Sequence, residues 1–85
     1  NRTVVCMHAA PYSEQFNNNV AKVFNYYIHQ FPQLLFCLDG HGHHTKTEDL
    51  FGDGTLFYMA SSCHFHEYYL FTITPKGYKY EVVKF

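Results

Sequence analysis

Two short apolar runs, separated by a stretch with helical periodicity, open the chain. Residues 3–7 (TVVCM) and 34–38 (LLFCL) are almost uninterrupted apolar runs, typical of strands that are buried on both faces. Between them, apolar residues recur every three or four positions, which predicts a helix with one apolar stripe. Asparagines at positions 17–19 are poor helix formers and predict a frayed or late start, and Pro32 predicts the end. The pattern predicts a β-α-β unit.

Three further strand-like runs follow a Gly-Asp-Gly turn at positions 52–54. They are TLFYMA, YYLFTIT and YKYEVVKF, and Pro75-Lys76-Gly77 joins the last two. A three-residue connection that ends in glycine is typical of a hairpin, with Gly77 at positive φ. We therefore expect a three-stranded antiparallel set after the β-α-β unit. The whole chain, residues 1–85, would form a single unit of the α+β or α/β class.

Composition and charge support a folded core and exclude some partners. The hydrophobic fraction is 47%, and the eight tyrosines and nine phenylalanines are expected to form the core and cross-strand pairs. A formal net charge of −1 provides no broad basic face for nucleic acid or acidic lipid. No apolar stretch reaches membrane-spanning length, and no signal-peptide pattern opens the chain. Because the sequence begins without Met, directly in a strand-like run, we expect it to be part of a longer protein.

The three cysteines are widely spaced and form no Cys-x-x-Cys pair. Cys6, Cys37 and Cys63 each lie in or beside an apolar run, so buried free thiols are expected. Free thiols fit a reducing compartment better than a disulfide scaffold does, which favours a cytoplasmic protein.

Histidine is the outlying residue type, and its placement predicts a metal site. His41, His43 and His44 crowd a turn with Gly40 and Gly42 directly after the second strand, and His8 directly follows the first strand. Parallel neighbouring strands end at the same edge of a sheet, about 4.8 Å apart. In an extended backbone, residues 41 and 43 would point to one side. Neutral imidazoles that converge in this way are typical of a metal-binding site.

The other polar residues have simpler interpretations. His44 is expected to be exposed, to support the ligands or to touch substrate. Cys63, His64 and His66 could resemble a soft metal site, but a strand or turn with incidental polar residues is favoured. His29 lies on the polar side of the helical stripe, and Asp49 and Asp53 are expected to serve the turns.

The segments VVCMHAAP and LLFCLDGHGHH, in this order, resemble the C-terminal portion of a calcineurin-like metallophosphoesterase. That family has a metal-binding histidine after one strand and a Gly-His-x-His turn after a later strand, matched here by residues 40–43. The resemblance implies that His8 and His41 bind one divalent ion and His43 binds another. It further implies a two-sheet sandwich flanked by helices, a phosphoester substrate, and Mn, Fe or Zn as the two metals.

The family's N-terminal motifs, Asp-x-His, Gly-Asp-x-x-Asp and Gly-Asn-His-Asp or Glu, are absent from this chain. The resemblance thus implies that the N-terminal half of the same enzyme supplies the bridging carboxylate, an Asn ligand and a catalytic histidine. The chain would then hold three metal ligands and no catalytic residue, and would be inactive alone. Uncovered strand faces and edges would also favour self-association.

Three other classes of function stay open. A small independent module could hold one Zn²⁺ with His8, His41 and His43, since three histidines are a known ligand set. A non-catalytic interaction domain could add its aromatic strands to a partner's sheet. A free-standing nuclease-like enzyme fits least well, because the carboxylates that it needs are missing.

Overall fold

The computed structural model describes residues 2–85, apart from the side chain of Cys63. Over these described residues the chain is a small mixed α/β domain with one α-helix and two sheets. Its elements are β1 (Thr3–Cys6), α1 (Ala21–Ile28), β2 (Leu34–Asp39), β3 (Lys46–Glu48), β4 (Phe57–Met59), β5 (Glu67–Thr74) and β6 (Gly77–Lys84). Single 3-10 turns lie at Asn18–Val20 and Cys63–Phe65.

The predicted β-α-β unit is confirmed. β1 and β2 pair in parallel, with Val5 opposite Cys37, and α1 lies in the connection between them. The helix starts late, as the asparagines predict, after a 3-10 turn that the side chain of Asn17 caps by accepting a hydrogen bond from the Asn19 amide. It also ends earlier than Pro32, at Ile28, and turns cover the remaining residues.

The prediction of a three-stranded antiparallel set is wrong. β4 leaves that set and pairs in parallel with β2, with Leu38 opposite Tyr58, so the larger sheet has the order β1-β2-β4-β3. Phe57 and Tyr58 are successive residues that point to opposite faces, and each is only 2% exposed. Such a strand needs cover on both faces, which the interior of a sheet between two layers provides.

β3 is a short edge strand that the sequence pattern does not reveal. Its three residues, Lys46–Glu48, are all exposed and polar, and the strand is held by antiparallel pairing with β4. The opposite edge is β1, and none of its residues is fully buried. The expectation that β1 is buried on both faces is therefore wrong, because an edge strand is covered less than an interior one.

The larger sheet buries a different set of side chains on each face. On one face, Ile28 of α1 packs with Cys37 and Phe57. On the other face, the ring of Phe36 stacks on Phe71 of β5, with centroids 4.5 Å apart. The sheet is thus covered by the helix on one side and by the β5–β6 hairpin on the other, and the expectation that aromatic side chains form core contacts is confirmed.

The second sheet is the predicted hairpin alone. β5 and β6 are antiparallel, and Thr74 pairs with Gly77, so the loop is the two residues Pro75-Lys76 rather than three. Gly77 has a φ of +145°, as its place in the turn predicts.

Of the cysteines whose side chains the structure describes, Cys37 is buried and Cys6 is exposed. Burial raises the pKa of the Cys37 thiol to about 12, which keeps it protonated and unreactive at neutral pH. The expectation of a buried thiol is wrong at Cys6, which ends the edge strand β1. The same expectation for Cys63, and the possible soft metal site that includes it, lie outside the described side chains.

Candidate metal centre

His8 and His41 meet at the ends of the two parallel strands. The ladder continues beyond β1 and β2, because the amide of Met7 donates to the Leu38 carbonyl and the amide of Gly40 donates to the His8 carbonyl, each at 2.9 Å. This register sets the two chain segments side by side at the carboxyl edge of the sheet. His8 Nε2 and His41 Nδ1 then lie 3.2 Å apart, and the ring planes make an angle of 70°.

The separation of these two nitrogens fits one shared ion. Two imidazole nitrogens bound at about 2.0–2.1 Å to one tetrahedral metal ion lie roughly 3.3–3.4 Å apart. The observed 3.2 Å is close to that value. It is also a hydrogen-bond distance, so without an ion one ring donates N–H to the other. Joint ligation would keep this separation, but it would require that the bridging proton leave and that both rings turn their lone pairs toward the ion.

Glu14 contacts the other nitrogen of His41, which the sequence reasoning missed. Its carboxylate oxygen Oε1 lies 3.1 Å from His41 Nε2. The Glu14 side chain is 82% exposed and that of His41 is 26% exposed. The only signal in the sequence is that Glu14 lies in the HAAPYSE segment, which leaves the same strand end as His8.

His43 forms no three-ligand group with this pair among the described residues. His41 and His43 have φ values of +67° and +57°, so the backbone between them is not extended, and the condition under which both rings would point to one side is not met. The exposed His43 ring lies beside Phe65, with centroids 6.2 Å apart, and the His43 carbonyl accepts a hydrogen bond from Ser61 Oγ. Within residues 2–85, and leaving out the Cys63 side chain, no three His, Cys, Asp or Glu residues form a group that could hold an ion.

Gly42 allows the tight path of this turn. A Cβ at position 42 would lie 2.7 Å from the Sδ atom of Met59, on β4. The loop therefore passes close to the Met59 side chain, and the carbonyl of the next residue, His43, accepts the hydrogen bond from Ser61. His44 is exposed, as expected.

Asp39 is a second residue that the sequence reasoning missed. It ends β2, is only 5% exposed, and its Oδ1 atom has no hydrogen-bond partner among the described residues. Burial, together with the nearby Glu48 carboxylate, raises the pKa of its carboxyl group to about 6, against the opposing effect of Lys46. The position is visible in the sequence as the aspartate between an apolar run and Gly40, but its burial depends on tertiary packing.

The remaining histidines have structural contacts. His29 is exposed, as expected, but its Nδ1 pairs with the Asn25 carbonyl at 2.7 Å and its Nε2 with Thr55 Oγ1 at 2.9 Å, tying α1 to the loop before β4. His66 stacks on Phe85 and contacts its carbonyl. The expected turn roles of Asp49 and Asp53 are confirmed, since both accept backbone N–H bonds in the 49–55 loop.

An open cleft of about 450 Å³ lies beyond His43, between the 61–65 segment and the end of the hairpin. Ser61, Phe65 and Lys84 line it together with His43. The cleft begins at the far side of the histidine turn and does not include His8 or His41.

Comparison of the chain with protein-family models, with curated proteins and with solved structures gave no match. No helix among the described residues is both long and apolar enough to cross a membrane.

Proposed function

We propose that this chain is the metal-binding C-terminal portion of a metal-dependent phosphoester hydrolase. The observation that carries the proposal is the approach of His8 Nε2 to His41 Nδ1, 3.2 Å apart at the carboxyl edge of two parallel strands. The order of a histidine after one strand and Gly-His-Gly-His after the next supports the same family resemblance.

In this proposal the histidines divide between two ions of Mn, Fe or Zn. His8 and His41 hold one ion, and His43, which forms no three-ligand group with them among the described residues, contributes to the other. Paired ions about 3.5–4 Å apart bind the phosphoryl oxygens of a phosphoester and lower the pKa of a bound water to near 7. This chain's own residues present neutral imidazole nitrogens and fix their direction through the strand register.

The chain alone is proposed to be inactive. A bridging carboxylate is needed to fix the separation of the ions and to offset their repulsion, and neutral imidazoles do neither. Asp39 is the buried carboxyl group nearest in sequence to the histidine turn, but it belongs to none of the family's carboxylate motifs. The partners are then the phosphoester substrate and an N-terminal half of the same enzyme. The free thiols at Cys6 and Cys37 favour a reducing compartment, such as the cytoplasm.

Hydrolysis of bis-p-nitrophenyl phosphate tests this proposal. The 85-residue chain, supplied with Mn²⁺ or Zn²⁺, is expected to show no turnover above the metal-only control. The proposed longer enzyme, in which an N-terminal half precedes this chain, is expected to hydrolyse the substrate. His41→Ala in that longer protein is expected to abolish the activity. Turnover by the 85-residue chain that survives repurification and is lost in His43→Ala would contradict the proposed need for the N-terminal half.

A second candidate is a small independent module that binds a single ion. It is favoured by one observation, that only two imidazole nitrogens converge among the described residues. The two candidates differ in stoichiometry: elemental analysis gives one ion for the module, whereas the longer hydrolase holds two. A non-catalytic interaction domain binds none.

A further inference from the structure

We propose that Glu14 positions His41 by fixing which of its ring nitrogens carries the proton. This inference rests on the proposed metal site, because it assigns Glu14 the task of keeping His41 Nδ1 free to bind the ion. Glu14 does not touch the ion itself. It acts through the histidine ring, on the side that faces away from His8.

The imidazole ring of His41 has a different neighbour at each of its two nitrogens. Glu14 Oε1 lies 3.1 Å from His41 Nε2, and His8 Nε2 lies 3.2 Å from His41 Nδ1. An ionised carboxylate only accepts hydrogen bonds, so the nitrogen that faces it must carry the hydrogen. His41 Nε2–H then donates to Glu14, and Nδ1 keeps its lone pair toward His8 and the shared ion. A carboxylate behind a metal-bound histidine is a recurring arrangement that orients the ring and raises its basicity.

The segment that carries Glu14 is held in place, although the carboxylate itself is exposed. Asn18 organises the segment with both side-chain atoms, since its Oδ1 accepts from the Tyr12 amide at 2.7 Å and its Nδ2 donates to the Ser13 carbonyl at 3.1 Å. Tyr12 adopts a φ of +69°, and its ring packs against Phe51. The path of the backbone is therefore fixed on both sides of Ser13, directly before Glu14.

This support is expected to change metal affinity. Removing an outer partner of a metal-bound histidine typically weakens binding by about 10–100-fold. The Glu14 side chain is 82% exposed, so solvent competes for the hydrogen bond and the lower end, about 10-fold, is expected.

Two readouts on the purified chain test the role of Glu14. The first is the tautomer of His41 in metal-free protein, measured by long-range ¹H–¹⁵N NMR at pH ~8, where an ordinary imidazole is neutral. The second is the Kd for Zn²⁺ by calorimetry. Wild type is expected to show His41 protonated at Nε2. Glu14→Ala is expected to mix the two tautomers and to weaken Zn²⁺ binding by about 10-fold.

Two further variants separate positioning from a general effect of charge. Glu14→Gln keeps an oxygen acceptor and is expected to retain the Nε2–H tautomer and most of the affinity. Glu81→Ala removes an exposed carboxylate from the distant strand β6 and is expected to change neither readout.

The outcomes separate failure of this inference from failure of the proposed metal site. If His8→Ala abolishes Zn²⁺ binding while Glu14→Ala leaves both affinity and tautomer unchanged, the metal site stands and the role of Glu14 is wrong. If neither wild type nor any variant binds Zn²⁺, the metal site is wrong. The tautomer of His41 then shows by itself whether Glu14 accepts a hydrogen bond from His41 Nε2. A wild-type His41 protonated at Nδ1 overturns the inference in either case.

Discussion

At the scale of single residues, Asp39 is the carboxyl group that folding changes most. Burial raises its pKa from 3.8 to about 6, so the folded protein holds a proton there more readily than the unfolded chain does. The protonated form thus favours folding fully below pH 3.8, and this contribution is lost as pH rises through about 6. A shift of this size corresponds to roughly 3 kcal/mol of unfolding free energy.

Asp39→Asn is expected to remove this pH dependence in metal-free protein. The variant should gain stability over wild type by up to roughly 3 kcal/mol at pH ~7.5, and the gain should shrink near pH ~4. Urea unfolding of both proteins with EDTA at the two pH values measures it, and taking the difference cancels the titration of the histidines. Glu81→Gln, an exposed carboxylate on β6, is the control for the loss of one acidic group. A gain that is the same at both pH values would show that Asp39 is not the group responsible.

The sequence predicts some residues of the candidate site and not others. The strand ends predict that His8, His41 and His43 converge, because parallel neighbouring strands end at one edge, and the structure brings the first two together. The backbone of the histidine turn is not visible in the sequence, because His41 and His43 adopt positive φ values that residues other than glycine rarely take. No sequence pattern marks Glu14 or Asp39 as a site residue. Glu14 lies in a loop, and the burial of Asp39 depends on tertiary packing.

At the scale of elements, the hairpin and the larger sheet are joined by a partly buried pair of hydroxyl groups. Tyr58 on β4 and Tyr78 on β6 lie 2.7 Å apart at their hydroxyl oxygens, and Tyr58 is 2% exposed. Burial, with the Tyr78 hydrogen bond, raises the pKa of Tyr58 above its ordinary range, so the group stays a neutral hydrogen-bond partner. Each hydroxyl has the other as its partner in a part of the core formed by aromatic rings.

A double-mutant cycle at this pair measures how tightly the two sheets are coupled. Tyr78→Phe leaves the Tyr58 hydroxyl buried without a partner and is expected to cost about 1–3 kcal/mol of unfolding free energy. The double variant Tyr58→Phe/Tyr78→Phe removes both hydroxyls and is expected to lie close to wild type. Additive losses would instead mean that the two hydroxyls do not meet in the folded protein.

The elements that the sequence predicted are those with a strong local pattern. β1, α1, β2 and the hairpin each follow apolar periodicity or a turn with glycine. The pairing of β4 with β2 is not visible in the sequence, because an apolar run is compatible with either sheet. Which strand β4 pairs with depends on packing between residues that are far apart in the chain. β3 was missed because Lys46–Glu48 contains no apolar residue at all.

At the scale of the whole molecule, much apolar surface and several strand edges are left uncovered. Val23, Tyr26, Phe31, Leu70 and Ile73 are among the large hydrophobic side chains that are about half exposed or more. β1 and β3 end the larger sheet, and β5 and β6 pair only with each other among the described residues. Exposed apolar faces and free edges favour association with another chain.

The isolated chain is therefore expected to self-associate. Sedimentation velocity over a wide range of protein concentration should show a weight-average sedimentation coefficient that rises with concentration. Leu70→Lys, which places a charge on the exposed face of the hairpin, should reduce the rise. A single species of monomer mass at every concentration would contradict the view that these surfaces need a covering partner.

The most direct test of the metal site is a calorimetric titration of Zn²⁺ into wild type and single histidine variants at neutral pH. We expect one binding event that His8→Ala and His41→Ala each weaken strongly, because each removes a nitrogen from the pair that lies 3.2 Å apart. His64→Ala, a change at an exposed residue in the 3-10 turn before β5, is the matched control and should bind like wild type. Binding that His64→Ala weakens as much as His41→Ala does, or that His8→Ala leaves intact, would contradict a site built on the two strand ends.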